Sequence, residues 1–181
     1  MVCPDKTEKN EANTFGAYGL EIFYLFCCPS NSIIALVVSE DRINLEREWT
    51  AAHVFAYFYN AFAFGSDGIL SNDEKREIVI CIKEWVPEIS DEKLFNALSE
   101  TWAWIGEDLK ESEDGDKIFE NMGNIVSLLD ERLKPNNGDV DRRKYFLCDL
   151  VRLSVLYGNT DDTEKAWIRE TANRFGINFR I

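Results

Sequence analysis

Carboxylate side chains recur at two glycine turns of this sequence, and their types and spacing are those of cation ligands. The first turn carries Asp67 beside Gly68, and Glu74 follows a few residues later. Calcium accepts flexible all-oxygen coordination, whereas magnesium keeps most of its water. The sequence therefore predicts a site for a divalent cation, with Ca²⁺ as the ion, at these turns. The candidate ligands are Asp67, Glu74, Asp161, Asp162 and Glu164.

The first turn matches only half of a known calcium loop. From Asp67 to Glu74 the order is acid, glycine, apolar residue and terminal glutamate, which is the second half of an EF-hand. In the first half, Ala63 and Gly65 stand where carboxylate ligands are required. A loop with two ligands missing predicts weak binding, with a dissociation constant of about 10⁻⁴–10⁻³ M.

Helix capping is the alternative interpretation of the same acids. Ser71 and Asp161 each precede a helical pattern, and a glutamate follows three residues after each of them. That spacing is a capping box, in which the glutamate reaches back to the backbone of the cap residue. Acids in a first turn also interact favourably with the helix dipole, by about 0.3–1 kcal/mol each. Capping and cation binding both remain open at this point.

The two turns belong to an internal repeat with an offset of ninety positions. Each copy has an apolar helix, a glycine turn, a cap residue, an acid three residues later and an amphipathic helix. The repeat predicts an internal duplication, with Ile78 and Ile168 buried at equivalent places. The matching residues are Gly68, Ser71, Glu74, Lys75, Ile78, Ile82 and Trp85, and Gly158, Asp161, Glu164, Lys165, Ile168, Ala172 and Phe175.

The elements that position these turns are predicted to be helices. After about residue 45, apolar residues recur at steps of three and four. Residues 54–64 are apolar on nearly all sides, which is typical of a central buried helix. Five further helices are predicted, and no segment there alternates with period two. We therefore expect an all-α fold, an antiparallel helical bundle with an internal duplication, over residues 46–181.

The third predicted helix, which begins at Ser90, has one apolar stripe that we expect to face the core. The acidic stretch 107–116 that follows is expected to be a solvated loop between helices. The stripe consists of Leu94, Phe95, Leu98, Trp102, Ile105 and Leu109.

Residues 1–45 differ from the rest and are predicted to be an N-terminal extension. Their two apolar runs, 15–28 and 33–38, are separated by Pro29-Ser30-Asn31-Ser32. Each run is too short to span a membrane, which takes about 20 residues. The acidic leader lacks the positive region of a signal peptide. The extension is expected to be either a hairpin or a broken helix.

Charge and cysteine usage exclude several functional classes. The chain has 20 Lys and Arg against 33 Asp and Glu, a formal net charge of −13, which repels nucleic acid and anionic lipid and favours basic partners. The 5 cysteines are odd in number and form no CxxC, so we expect reduced thiols and a cytoplasmic location. His53, the single histidine, cannot complete an ordinary zinc site. It is expected to pack in its apolar stretch, although a Cys–His catalytic pair stays open.

The two turns resemble the acidic turns of the TerB-like family of tellurite-resistance proteins. The resembling segments are 63–75 for the first turn, and 157–165, 168–172 and 175–177 for the second. The likeness extends over about residues 49–179. It implies an all-helical bundle with a duplication and an acidic surface, and a role in the bacterial response to tellurite and other stress. It also implies metal binding at the five acids above and docking to partner proteins of the same operon. Tyr157 stands where the family usually has an aspartate.

Taken together, these features predict a non-enzymatic module whose acidic surface binds a divalent cation or a basic partner protein. The sequence contains no Gly-rich phosphate loop, GxSxG or HExxH. A carboxylate-based enzyme is the less favoured alternative. A structural or oligomerisation scaffold is another, because Trp102 and Trp104 lie two residues apart on a helix and cannot both face one core.

Overall fold

A computed structural model describes residues 47–112, 115–136, 138–156 and 160–181, apart from the side chains of residues 66 and 67. The predicted extension, residues 1–45, lies outside the described residues. The described residues form six α-helices and no β-strand, which confirms the all-α fold. The helices are α1 (Ala51–Asp67), α2 (Asn72–Trp85), α3 (Asp91–Glu111), α4 (Asp116–Leu133), α5 (Arg143–Ser154) and α6 (Asp162–Arg174).

Helix α1 is the centre of the fold, as the sequence predicts. It begins at a capping box of Thr50 and His53 and ends at Gly68, whose φ of 75° is the left-handed conformation that glycine adopts without strain. Every residue from 52 to 63 is buried. α1 packs against each of the five other helices. Because no side of α1 faces water, any polar group on it needs a partner inside the protein.

Helices α2 and α6 carry the two copies of the predicted repeat, and both pack on α1 and α5. Each begins with a capping box. Seven residues beyond each cap residue, Ile78 and Ile168 are completely buried. Trp85 and Phe175, which correspond in the repeat, are buried as well. The predicted burial of the two isoleucines is therefore confirmed.

The buried face of α3 is not the one that the sequence predicts. The inward face holds Leu94, Ala97, Thr101, Ile105 and Asp108, whereas Phe95, Trp102 and Leu109 from the predicted stripe are exposed. Two of these inward residues, Thr101 and Asp108, are polar, and both form hydrogen bonds with polar side chains of α1. The predicted loop 107–116 is also partly wrong, since α3 continues to Glu111. Asp108, expected in solvent, is completely buried.

The start of α5 is fixed by Arg143, which joins three parts of the chain. Its guanidinium donates to Asp141 Oδ1 at 2.8 Å, to Asp130 Oδ1 in α4 at 2.7 Å and to the carbonyl oxygen of Phe175 after α6 at 3.1 Å. The hydrogen bond from Arg143 holds the pKa of Asp141 below its ordinary value. One side chain thereby ties α4, α5 and the end of α6 together.

None of the described helices combines the length and the hydrophobicity that a bilayer-spanning helix requires.

The predicted repeat implies equal costs of cavity formation at its two matching isoleucines. Ile78→Ala and Ile168→Ala should each lower the free energy of unfolding by about 2–5 kcal/mol, because each empties a fully buried site. Ile80→Ala is the matched control in α2, and since Ile80 is 45% exposed it should cost about 0.5 kcal/mol or less. Urea unfolding followed by circular dichroism measures all three. A cost as small as that of the control at either buried isoleucine would contradict the equivalence.

Candidate functional site

Both acidic turns are capping boxes in the structure. Glu74 Oε2 accepts from the backbone N–H of Ser71 at 2.8 Å, and Ser71 Oγ accepts from the N–H of Glu74 at 3.2 Å. Glu164 Oε2 accepts from the N–H of Asp161 at 3.0 Å, and Asp161 Oδ1 accepts in return at 2.7 Å. Glu74 and Glu164 are buried. The capping interpretation is thus confirmed at both turns.

Asp162, another of the predicted ligands, lies on the surface. Asp162 is fully exposed and faces Lys165, one turn further along α6, with an Oδ1–Nζ distance of 3.3 Å. The side chain of Asp67 lies outside the described residues. Throughout the part of the chain that the structure describes, no three His, Cys, Asp or Glu side chains form a group that could hold a metal ion.

A buried carboxylate, Asp108, organises one side of α1. Arg47 donates to it through both terminal nitrogens, at 3.1 Å to Oδ2 and 2.9 Å to Oδ1. The hydroxyl of Tyr57 in α1 donates to Oδ2 at 2.5 Å, and the amide of Asn121 in α4 donates to the same oxygen at 2.9 Å. We call these four residues the Asp108 cluster. It joins α1, α3, α4 and the chain segment before α1.

The electrostatics of the Asp108 cluster favour an ion pair and a neutral phenol. Burial, followed by the hydrogen bond to Asp108, raises the pKa of Tyr57 far above its ordinary value. Burial lowers the pKa of Arg47, but the hydrogen bond and negative charge of Asp108 raise it by more. Tyr57 is therefore a permanent donor at any physiological pH, and Arg47 is a permanent cation.

Aromatic rings cover the Asp108 cluster. Trp104 stacks on His53 at 5.1 Å between ring centroids, contacts Trp49 at 5.0 Å and lies beneath the Arg47 guanidinium at 5.4 Å. The two nitrogens of His53 bond to Thr50 and to Glu100. His53 therefore packs among aromatic rings and caps a helix, as expected for a histidine in an apolar stretch.

A second buried carboxylate, Asp149 in α5, lies against another part of α1. Its Oδ2 accepts from the hydroxyl of Tyr59 at 2.8 Å and from the indole N–H of Trp85 in α2 at 2.7 Å. Its Oδ1 lies 3.5 Å from Arg152 Nη1. We call these residues the Asp149 cluster. Burial, followed by the charge of Asp149, raises the pKa of Tyr59 well above its ordinary value.

Arg152 extends the Asp149 cluster toward the surface. It forms ion pairs with Glu77 and with Glu84, the latter at 2.9 Å, in addition to Asp149. All three carboxylates are at least four-fifths buried by their side-chain exposure, whereas the arginine is about one-third exposed. Three carboxylates thus share one guanidinium where α2 meets α5.

The two clusters attach opposite sides of α1 to other helices. Tyr57 and Tyr59 are two residues apart, so they leave α1 in directions about 200° apart. Each hydroxyl meets a buried aspartate from a different helix. Both oxygens of Asp108 already accept hydrogen bonds, and so do both oxygens of Asp149.

The two cysteines in the described residues differ in state. Cys81 is a buried cysteine outside any disulfide, whereas Cys148 is disulfide-bonded. The expectation of reduced cysteines is therefore wrong at Cys148.

Sequence reasoning missed both buried aspartates, although each leaves a signal. Asp108 lies seven residues after Thr101 and three after Ile105, which are helical steps along the inward face of α3. Its position inside an acidic run concealed this periodicity. Asp149 stands alone among apolar neighbours in residues 146–150. An isolated acid in an apolar helix predicts a buried, hydrogen-bonded carboxylate.

Comparison of the chain with known protein families, curated proteins and solved structures finds no match to any of them.

Proposed function

We propose that this chain is a non-enzymatic stress-response module of the tellurite-resistance type, whose acidic surface binds a basic partner protein of the same operon. The proposal also takes the six helices as an antiparallel, TerB-like bundle with an internal duplication. The two capping boxes and the two buried isoleucines support the duplication.

The observation that carries the proposal is the way the charges are distributed. Three arginines of the described residues are drawn into internal ion pairs, each with two or more carboxylates. They are Arg47, Arg143 and Arg152. On the exposed surface of the described residues, carboxylates outnumber Lys and Arg side chains. This excess of exposed carboxylates attracts a basic partner.

The exposed acids at the two turns are available to such a partner. Asp73 pairs with Arg76 at 2.9 Å and Asp162 pairs with Lys165 at 3.3 Å, and both pairs are surface contacts within one helix. Exposed pairs of this kind contribute little free energy. A cationic side chain of a partner can therefore replace Arg76 or Lys165 in its ion pair at little cost in free energy.

Two features support a binding role over catalysis. The buried carboxylates Asp108 and Asp149 have their oxygens engaged by donors from neighbouring helices. Both ring nitrogens of His53 are engaged as well. The carboxylates and the histidine that an acid–base mechanism would use thus have structural partners.

A structural or oligomerisation scaffold is the second candidate, and the pair of tryptophans on α3 favours it. Trp104 packs inward against Trp49 and His53, whereas Trp102 is 43% exposed. As the spacing predicts, one of the two indoles faces outward, where it is free to enter an interface.

A charge-only probe tests the proposed function. We expect an oligolysine of about 18 residues to bind the protein in calorimetry, and to bind less tightly as salt is raised, because exposed charges are screened. An oligoglutamate of equal length should not bind. Asp73→Asn combined with Asp162→Asn should weaken binding, and Lys75→Gln, a matched change of opposite sign beside the first turn, should strengthen it. The proposal would be overturned if binding did not weaken with salt and were the same in the wild-type protein, the double aspartate variant and Lys75→Gln.

The calcium hypothesis stays a prediction and has a separate test. Calorimetric titration of the wild-type protein with calcium should give a dissociation constant of about 10⁻⁴–10⁻³ M. Asp67→Asn combined with Glu74→Gln should abolish the heat of binding. Glu74→Gln keeps an acceptor for the Ser71 backbone, so the helix cap survives the change. Equal heats from both proteins, or none at millimolar calcium, would leave these acids as capping residues or partner contacts.

A further inference from the structure

We propose that a cleft between α6 and the C-terminal segment 177–181 binds a small organic phosphate, a phosphate monoester with an apolar or aromatic substituent. The cleft is open to solvent on one side and has a volume of about 410 Å³. Sites for small molecules have volumes of about 300–1,000 Å³. The proposal is independent of the proposed function, because none of the acids at the two turns lines the cleft. The lining residues are Arg169, Ala172, Asn173, Phe179, Arg180 and Ile181.

The end of α6 brings the two walls of the cleft together. Gly176 has a φ of 64°, and this left-handed residue reverses the chain after the helix. The N–H of Gly176 donates to the carbonyl oxygen of Asn173 at 3.0 Å, and the N–H of Ile177 donates to that of Ala172 at 2.9 Å. These two hydrogen bonds form a Schellman motif. Ile177 and Phe179 then pack against the core, which anchors the segment beside α6.

The two arginines of the cleft have no partner in the part of the chain that the structure describes. No carboxylate of the described residues, side chain or main chain, forms an ion pair with Arg169 or Arg180. Every other arginine of the described residues has an ion pair, a hydrogen bond or an aromatic ring as its partner. The fold thus leaves two uncompensated cations at one cleft, and an anion bound there compensates both.

The sequence of α6 explains why Arg169 stays unpaired. Side chains three and four residues apart are neighbours on a helix, and none of the neighbours of Arg169 is an acid. The three acids of α6 are engaged elsewhere, by Lys165, by Arg174 and in the helix cap. The guanidinium of Arg169 is therefore available to a ligand. The neighbours are Lys165, Ala166, Ala172 and Asn173.

The donors of the cleft select an oxyanion, and their number favours a phosphate. One guanidinium fork engages both oxygens of a carboxylate. The three terminal oxygens of a phosphate monoester can accept from Arg169, from Arg180 and from the side-chain amide of Asn173 together. Between these donors lie Ala172, which is buried, and Phe179, which is half-buried. They give the apolar or aromatic substituent of the ligand a surface to pack on.

The charge of the whole chain limits the ligand to a small one. A net charge of −13 repels polyanions such as nucleic acid and anionic lipid surfaces. At physiological salt, exposed charges act over about 8 Å. An anion no larger than the cleft therefore interacts mainly with the two arginines, and the distant acids of the chain affect it little.

Four probes that differ in single features test the inference. Phenyl phosphate has every proposed feature, whereas inorganic phosphate lacks the apolar substituent, benzoate lacks the third oxygen and phenol lacks the negative charge. Titrations at physiological salt, followed by the NMR signals of the backbone amides of residues 169–181, should show phenyl phosphate binding at least tenfold more tightly than each of the others. Equal or tighter binding of benzoate would assign the cleft to carboxylates and overturn the inference. Equal binding of inorganic phosphate or phenol would overturn it as well.

A matched pair of double variants separates the cleft from the overall charge. Arg169→Gln combined with Arg180→Gln should weaken phenyl phosphate binding at least tenfold, because both cations of the cleft are lost. Arg76→Gln combined with Lys83→Gln, at exposed residues of α2, changes the net charge equally and should leave the affinity unchanged. Circular dichroism checks that both variants are folded. Unchanged binding in the first variant, or an equal loss in the second, would overturn the inference while leaving the oligolysine result standing.

Discussion

The burial of α1 on every side is the constraint from which the rest of the structure follows. A helix with no face in water must satisfy its polar side chains internally, and α1 carries two phenolic hydroxyls near its middle. Tyr57 and Tyr59 point in nearly opposite directions and donate to Asp108 and Asp149. Each aspartate brings further helices with it, through Asn121 of α4 or Trp85 of α2. The apolar core supplies most of the stabilisation, and the two carboxylates specify which helix lies where.

The same constraint explains why large apolar residues of α3 are on the surface. Thr101 and Asp108 turn inward to meet Asn60 and Tyr57 of α1, and this rotates the helix. Phe95, Trp102 and Leu109 are then exposed, although an amphipathic helix would ordinarily bury such residues. The exposure of these three residues is thus a consequence of polar packing in the core.

Periodicity and turn chemistry were enough to predict the number of helices, their approximate ends and both capping boxes. Those features are local, since a cap depends on residues within one turn, such as Ser71 and Glu74. The inward face of α3 was predicted wrongly because it depends on distant partners. Asp108 looks like one more acid in a solvated run until Arg47, Tyr57 and Asn121 are placed around it. The candidate site was therefore harder to predict than the fold, because long-range hydrogen bonds leave only a faint periodic signal in the sequence.

A double-mutant cycle on the two tyrosines of α1 tests this account most directly. Tyr57→Phe and Tyr59→Phe each remove one hydroxyl and keep the ring, so each should lower the free energy of unfolding by about 1–3 kcal/mol as its aspartate loses a donor. Because the two hydroxyls have separate acceptors on α3 and α5, the double variant should equal the sum within about 0.5 kcal/mol. Ser127→Ala removes a hydroxyl bonded to its own helix and should have little effect. If either tyrosine variant is as stable as the wild-type protein in urea unfolding, the buried carboxylates do not hold α1 in place and the account is wrong.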